Sequence, residues 1–276
     1  MSTVWAIALK EIRAGIRNRW VAAATLVLAA LAVGLAFLGS APTGSVGASR
    51  LAVTVVSLAS LTIFLLPLIA LLLSYDRLVG EIEAGTMLLL LSYPVRRGQV
   101  VWGKFLGQLA LLAIATIVGY GAAGVGIALA GDVVNYGDWP AFAALLVSSV
   151  LLGAAFLALG LLASAVVRER ATAAGIAVGL WLVFVLLFDL ALLGLLAATE
   201  GRGIPPGLFR WVLLLNPADV FRLLNLTGFA DIRQFSGMAG LTEQASLPPA
   251  ALVVALVAWV VAPLAAAHAL FARRSL

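Results

Sequence analysis

The chain has 276 residues, of which 64% are hydrophobic and only 11% charged, too little polar surface to wrap a soluble core. Its formal charge of +5 does not point to nucleic acid, because the basic residues sit at the ends of apolar runs, where anionic lipid head groups are the simpler partner. Cysteine is absent, which excludes disulfides, thiolate metal ligands and cysteine nucleophiles.

Residues 4–20 open the chain with two faces. Trp5, Leu9, Ile12 and Ile16 fall along one helical stripe, and Lys10, Arg13 and Arg17 along another, the pattern of a helix lying in the membrane interface. Six charge-poor runs follow, at about 20–38, 51–74, 105–130, 141–167, 171–198 and 249–270. Each is long enough to cross a hydrocarbon core of ~30 Å as a helix. The first run is longer than the core of a secretory signal, and Pro42 would follow the best cleavage point, so it reads as an uncleaved anchor. The expected fold is therefore all-α, a single polytopic domain over 1–276 with six transmembrane helices. Lys and Arg on the side holding both termini number twelve, against five on the other, which makes both termini and the segment 75–104 cytoplasmic.

Segment 75–104 carries charges that the rest of the chain avoids. Asp76, Arg77, Glu81 and Glu83 read as a short charged helix leaving the membrane, and Gly85 ends it. Met87 to Leu91 is apolar but too short to cross, Pro94 to Arg97 turns the chain, and Lys104 anchors the next span. That geometry suits docking of a cytoplasmic partner. Gly98, Gly103 and Lys104 match the spacing of a phosphate loop, but Phe105 stands where a magnesium-binding hydroxyl is needed, and a lipid-spanning run follows in place of a helix packed on a sheet. Any ATP and magnesium would belong to another chain.

Further along, Ala122, Gly126 and Ala130 in the third span, and Ala171, Gly175 and Gly179 in the fifth, recur every fourth residue, a spacing that lets helices of a bundle or a dimer approach closely. Asp189 lies inside the fifth span. A carboxylate there costs about 2.5–3.5 kcal/mol on insertion scales, so it should face the interior, either bonding another helix or forming a polar point on a translocation path. Residues 199–248 read as an extracytoplasmic helical segment. After Pro205 and Pro206, the stretch 209–215 is apolar but too short to span. Asn216 before Pro217, with Asp219 at the third position, marks the start of a helix at Pro217. Phe209, Trp211, Phe221 and Arg222 form an apolar set with a polar rim, suited to contact with a periplasmic partner. The single histidine, His268, reads as a packed or interfacial residue, and no catalytic or metal constellation can be assembled from the inventory.

The stretch EIEAGTMLLLLSYPVRRG, followed by Gly103 and Lys104, resembles the cytoplasmic motif of ABC-2 type permeases. Glu81, Glu83, Gly85, Thr86, Leu89, Leu90, Pro94, Val95, Arg97, Gly103 and Lys104 match its pattern, whereas Ile82 replaces an Arg and Leu88 a Glu. The resemblance implies a permease that dimerises and couples to two copies of a separate ABC ATPase through Asp76, Arg77, Glu81, Glu83, Gly85, Thr86, Pro94 and Arg97. By it the chain has no catalytic residue, metal or cofactor of its own, and ATP with magnesium is used by the partner. The region around 213–241 is similar to permeases serving maturation of the copper-sulfide centre of nitrous oxide reductase, which adds a dedicated ATPase and a periplasmic protein as expected partners. With Met87 and Met238 the only internal methionines, a sulfur species or mechanical work suits the inventory better than a Cu(I) relay. Another ABC-2 exporter, or a membrane anchor subunit that transports nothing, are the alternatives.

Overall fold

A computed structural model describes residues 3–38, 50–129, 139–198, 206–226 and 247–274. Every element among them is helical. α1 (Thr3–Ile16) and α2 (Arg19–Leu38) meet at a bend of 67°. α3 (Arg50–Ser74) runs into the short helices α4 (Val79–Glu83) and α5 (Thr86–Leu91). α6 (Arg97–Leu129) and α7 (Trp139–Val166) are long and unbroken. α8 (Arg170–Leu182), a π turn (Val183–Leu187) and α9 (Phe188–Ala198) make the next span. α10 (Pro206–Leu214) and α11 (Pro217–Leu226) form a helical hairpin, and α12 (Pro249–Arg273) closes the chain. Five helical stretches are long and apolar enough to cross a bilayer, and the bent α1–α2 pair brings the number to as many as six.

Three boundaries differ from the sequence expectation, two for a tertiary reason and one for a local one. The third span begins at Arg97 rather than 105, because α1 lies along α6 and encloses its first turns. The fifth span is broken by the π turn. The amphipathic opening helix stops at Ile16, where Asn18 N–H donates to Gly15 O at 2.9 Å and turns the chain into α2.

Helices in lipid gain little from apolar burial against one another, so close packing and hydrogen bonds must assemble them. α7 occupies the centre, with 72% of its apolar window buried, packed along α3 and α12. Its small residues Gly153, Ala154, Ala155, Ala158, Gly160 and Ala163 admit those neighbours. The span made by α8 and α9 has only 11% of its window buried and lies at the periphery. α6 is held to α3 by a buried hydrogen bond between Tyr120 Oη and Thr62 Oγ1 at 2.7 Å. Close approach of α1 depends on Gly103 and Gly107. A Cβ at Gly107 would lie 2.5 Å from Glu11 Cβ, and one at Gly103 would lie 2.7 Å from Ile7 Cβ.

α1 thus has three faces. Ile7, Ala8, Glu11 and Gly15 are buried against the protein. Trp5 and Ile16 of the apolar stripe are exposed, as are Arg13 and Arg17 of the basic one, so the chain's own packing leaves these side chains open to lipid tails and head groups.

Candidate functional site

At the end of the bundle that carries α4 and α5, one buried ammonium joins three elements. Lys104 of α6 has a side chain only 1% exposed, and its Nζ lies 2.7 Å from Glu81 Oε1 of α4 and 3.1 Å from Glu11 Oε1 of α1. Arg77 Nη1 reaches Glu11 Oε2 at 3.6 Å, and Lys10 approaches Glu81 at 3.5 Å. Lys104 is therefore no interfacial anchor: two carboxylates replace the water its charge would need. The stretch from Gly98 to Lys104 lies inside α6, so the look-alike phosphate loop is ordinary helix.

Asp76, Arg77, Glu83 and Arg97 are also used within the chain. Arg170 Nη2 donates to Asp76 Oδ2 at 2.9 Å, and Arg170 N–H donates to Glu83 Oε1 at 2.7 Å, placing a carboxylate at the start of α8, where the helix dipole favours it. Arg77 Nε donates to Leu73 O at 2.9 Å. Ser164 Oγ of α7 accepts from both Leu78 N–H and Val79 N–H at 3.0 Å, two of the first amides of α4 that have no helical acceptor. Arg97 donates to Ala272 O and Arg274 O at the end of α12, and Arg274 Nη1 donates to Ala165 O at 3.1 Å at the end of α7. Each guanidinium sits at a helix C-terminus, whose partial charge is negative.

Internal pairing therefore fixes the shape of the segment and leaves a different surface outside. Gly85 turns between α4 and α5 with φ 70°, a left-handed conformation that only glycine adopts at no cost. Thr86 Oγ1 donates back to Glu81 O at 3.2 Å. α5 then buries Met87 in the core and exposes Leu88, Leu89 and, just beyond, Tyr93, with Gly85, Thr86 and Pro94 exposed beside them. Leu88, Leu89 and Tyr93, three large side chains exposed on α5 and just after it, form the kind of patch that a partner covers.

At the hairpin end, Asp189 meets Arg222. Arg222 Nη2 donates to Asp189 Oδ2 at 2.6 Å and its Nη1 to Asp189 Oδ1 at 3.3 Å, a two-pronged pair, while Nη1 also lies 2.5 Å from Asp219 Oδ1. Asp189 thus bonds another helix, α11, which packs against α12, α7 and α3. Burial pushes the Asp219 carboxyl up to about 7 in spite of the guanidinium, which is shared with a second carboxylate. Asn216 Oδ1 accepts from Ala218 N–H at 3.0 Å, so the helix starts at Pro217 with the cap that its sequence announces. Asn216 Nδ2 donates to Asp219 Oδ2 at 3.0 Å and, across to the fifth span, to Phe184 O at 2.9 Å. Trp259 Nε1 of α12 donates to Leu214 O at 3.0 Å. Phe221 is fully buried in the core and holds the hairpin down, while Trp211, 70% exposed, faces outward, as does Leu215 in the turn after α10. Phe209 belongs to α10, with its side chain outside the described residues. Most of 199–248 beyond α10 and α11, Met238 included, also lies outside them.

The model of the ABC-2 family transporter proteins matches residues 5–276. The chain belongs to this family. The permease is 48% identical over 276 residues to the probable ABC transporter permease protein NosY of Stutzerimonas stutzeri, and 50% identical over 275 residues to the protein of the same description from Pseudomonas aeruginosa. Each alignment covers 99% of both chains. The motif that carries the sequence resemblance is thus the one whose charges the permease pairs internally. Sequence reasoning missed Glu11, Ser164 and Arg170 as its partners. A signal for the first existed: Gly103 and Gly107, one turn apart beside Lys104, mark a face of α6 against which another helix must lie.

Proposed function

We propose that this permease sits in the bacterial inner membrane with both termini cytoplasmic, as a homodimer bound to two copies of a NosF-like ABC ATPase and to a NosD-like periplasmic protein, and that it serves copper-sulfide centre maturation of nitrous oxide reductase. Identity of 48% and 50% to NosY relatives across essentially the full length is the observation that carries this reading. The exposed set on α5, Leu88 and Leu89 with Tyr93, Gly85, Thr86 and Pro94 around it, supports ATPase docking there, with Asp76, Arg77, Glu81, Glu83 and Arg97 holding the segment in shape. The peripheral span supports a second copy: Gly175 and Gly179 have open space where a Cβ would be, room for a neighbouring helix. ATP and magnesium belong to the ATPase. With no cysteine, and Met87 and Met238 the only internal methionines, soft copper ligands are scarce, which favours a sulfur species, or conformational work on the periplasmic partner, as the output.

The test is copurification of the ATPase with the tagged permease and its Leu88→Asp, Leu89→Asp double variant. Both side chains are exposed, so the variant inserts and melts like the parent. It loses the ATPase and, in cells, the maturation of the reductase. Full retention of the ATPase together with full maturation would overturn the docking reading.

A further inference from the structure

The π turn of the fifth span sits beside the Asn216 turn of the hairpin. In the π turn, Phe188 N–H reaches back five residues to Val183 O, so the backbone holds one residue more than an α-helix would, and such a turn leaves a carbonyl short of its helical partner. In lipid an unmet carbonyl must find a donor on a neighbouring element. Asn216 Nδ2 supplies one to Phe184 O at 2.9 Å. The ring of Phe184 is wedged edge-on between Phe156 of α7, at 6.1 Å, and Trp259 of α12, at 5.3 Å, so this residue is held by both backbone and side chain.

The extra residue sets what the rest of the span faces. Successive residues of an α-helix are about 100° apart, so relaxing the π turn to α geometry would rotate α9 by about that angle and shift it by about 1.5 Å. Asp189 is the second residue of α9, and that rotation would carry its carboxylate away from the Arg222 guanidinium that it now meets through both oxygens. We infer that Asn216 is a positioning residue: by holding the Phe184 carbonyl it keeps the π turn open and sets the rotational register in which Asp189 meets Arg222. The hairpin and the outer half of the fifth span are thereby locked together, and α9 has two available registers, one with the amide bond made and one without it. The register itself does not depend on the proposed docking; only its use in transport rests on that reading.

The cap made by Asn216 Oδ1 and the donor role of its Nδ2, which serves Phe184 O and Asp219 Oδ2, separate by substitution. Asn216→Ser keeps an acceptor for Ala218 N–H, and Asn216→Asp does so too, but the serine hydroxyl is too short to reach Phe184 O and the aspartate has no proton to give. Full-length permease in nanodiscs is followed by amide hydrogen exchange over 183–189 and, since the chain has no cysteine, by a spin label on Leu190→Cys, a position 63% exposed. Both variants are expected to raise exchange of the π turn about ten-fold and to lower the collision rate of the label with lipid-dissolved oxygen, while Asp189→Asn, which retains the Asn216 bond, leaves the label where it is. Parental exchange and parental label accessibility in either Asn216 variant, with unchanged melting, would reduce Asn216 to a helix cap and overturn the inference. Neither readout needs ATPase or cargo, so a failure of the docking reading leaves this result standing and is recognised separately.

Discussion

Replacing Lys104 by methionine keeps the length of the side chain and removes the one charge that joins α1, α4 and α6. At 2.7 and 3.1 Å, each ion pair represents about 5–6 kcal/mol of attraction at an effective dielectric of about 20. Most of that is offset by the water the charges gave up, several kcal/mol per ion. What the substitution reads is the cost of stranding two carboxylates, typically about 3–5 kcal/mol when one partner of a buried pair is lost. Arg77 stays 3.6 Å from Glu11 and Lys10 stays 3.5 Å from Glu81, so the lower end, about 3 kcal/mol, is expected. In a melt of the detergent-solubilised permease this corresponds to a fall of about 6–12 °C in Tm. Removing all three charges, with Glu11→Met, Glu81→Gln and Lys104→Met, should recover most of the loss, because no charge of the cluster is then stranded. If Lys104→Met melts like the parent, or if the triple variant melts lower than the single, the cluster does not hold these elements together and the reasoning fails.

Ser164→Ala removes the acceptor of two amides at the start of α4, at a cost of about 1–3 kcal/mol, and should appear as faster hydrogen exchange confined to 76–91. Asp219 has a carboxyl raised by burial from 3.8 to about 7, so its contribution to stability is complete below pH 3.8 and is lost as pH rises through about 7. Asp219→Asn should flatten the pH dependence of Tm across that window, and an unchanged slope would contradict the assignment. Trp211→Asp, at a side chain 70% exposed, should leave Tm and ATPase binding unaltered while releasing the periplasmic partner in a pull-down; a partner retained in full would show that α10 is not its contact.

The solvent of this chain was legible from residues alone, because a run without charge has only one medium it can cross. Local backbone chemistry was legible too. Gly85 turns left-handed between two short helices, and Asn216 and Pro217 start α11, since a positive φ and a helix cap depend on residues within a few positions of each other. The partners of the charges were not. Glu81, Glu83 and Arg97 read along the chain as docking charges, and in the fold they pair with Lys104, the start of α8 and the end of α12, 23 to 177 positions away and beyond the reach of any periodicity. Beside those pairs the surface exposes Leu88 and Leu89, which the linear pattern marked only as part of an apolar stretch too short to cross a bilayer. The π turn is tertiary in the same sense. No residue type in Val183–Leu187 calls for it; Phe184 is held by an amide from the hairpin at its carbonyl and by two aromatic rings from α7 and α12 at its side chain, and only the folded bundle brings those three groups to one residue.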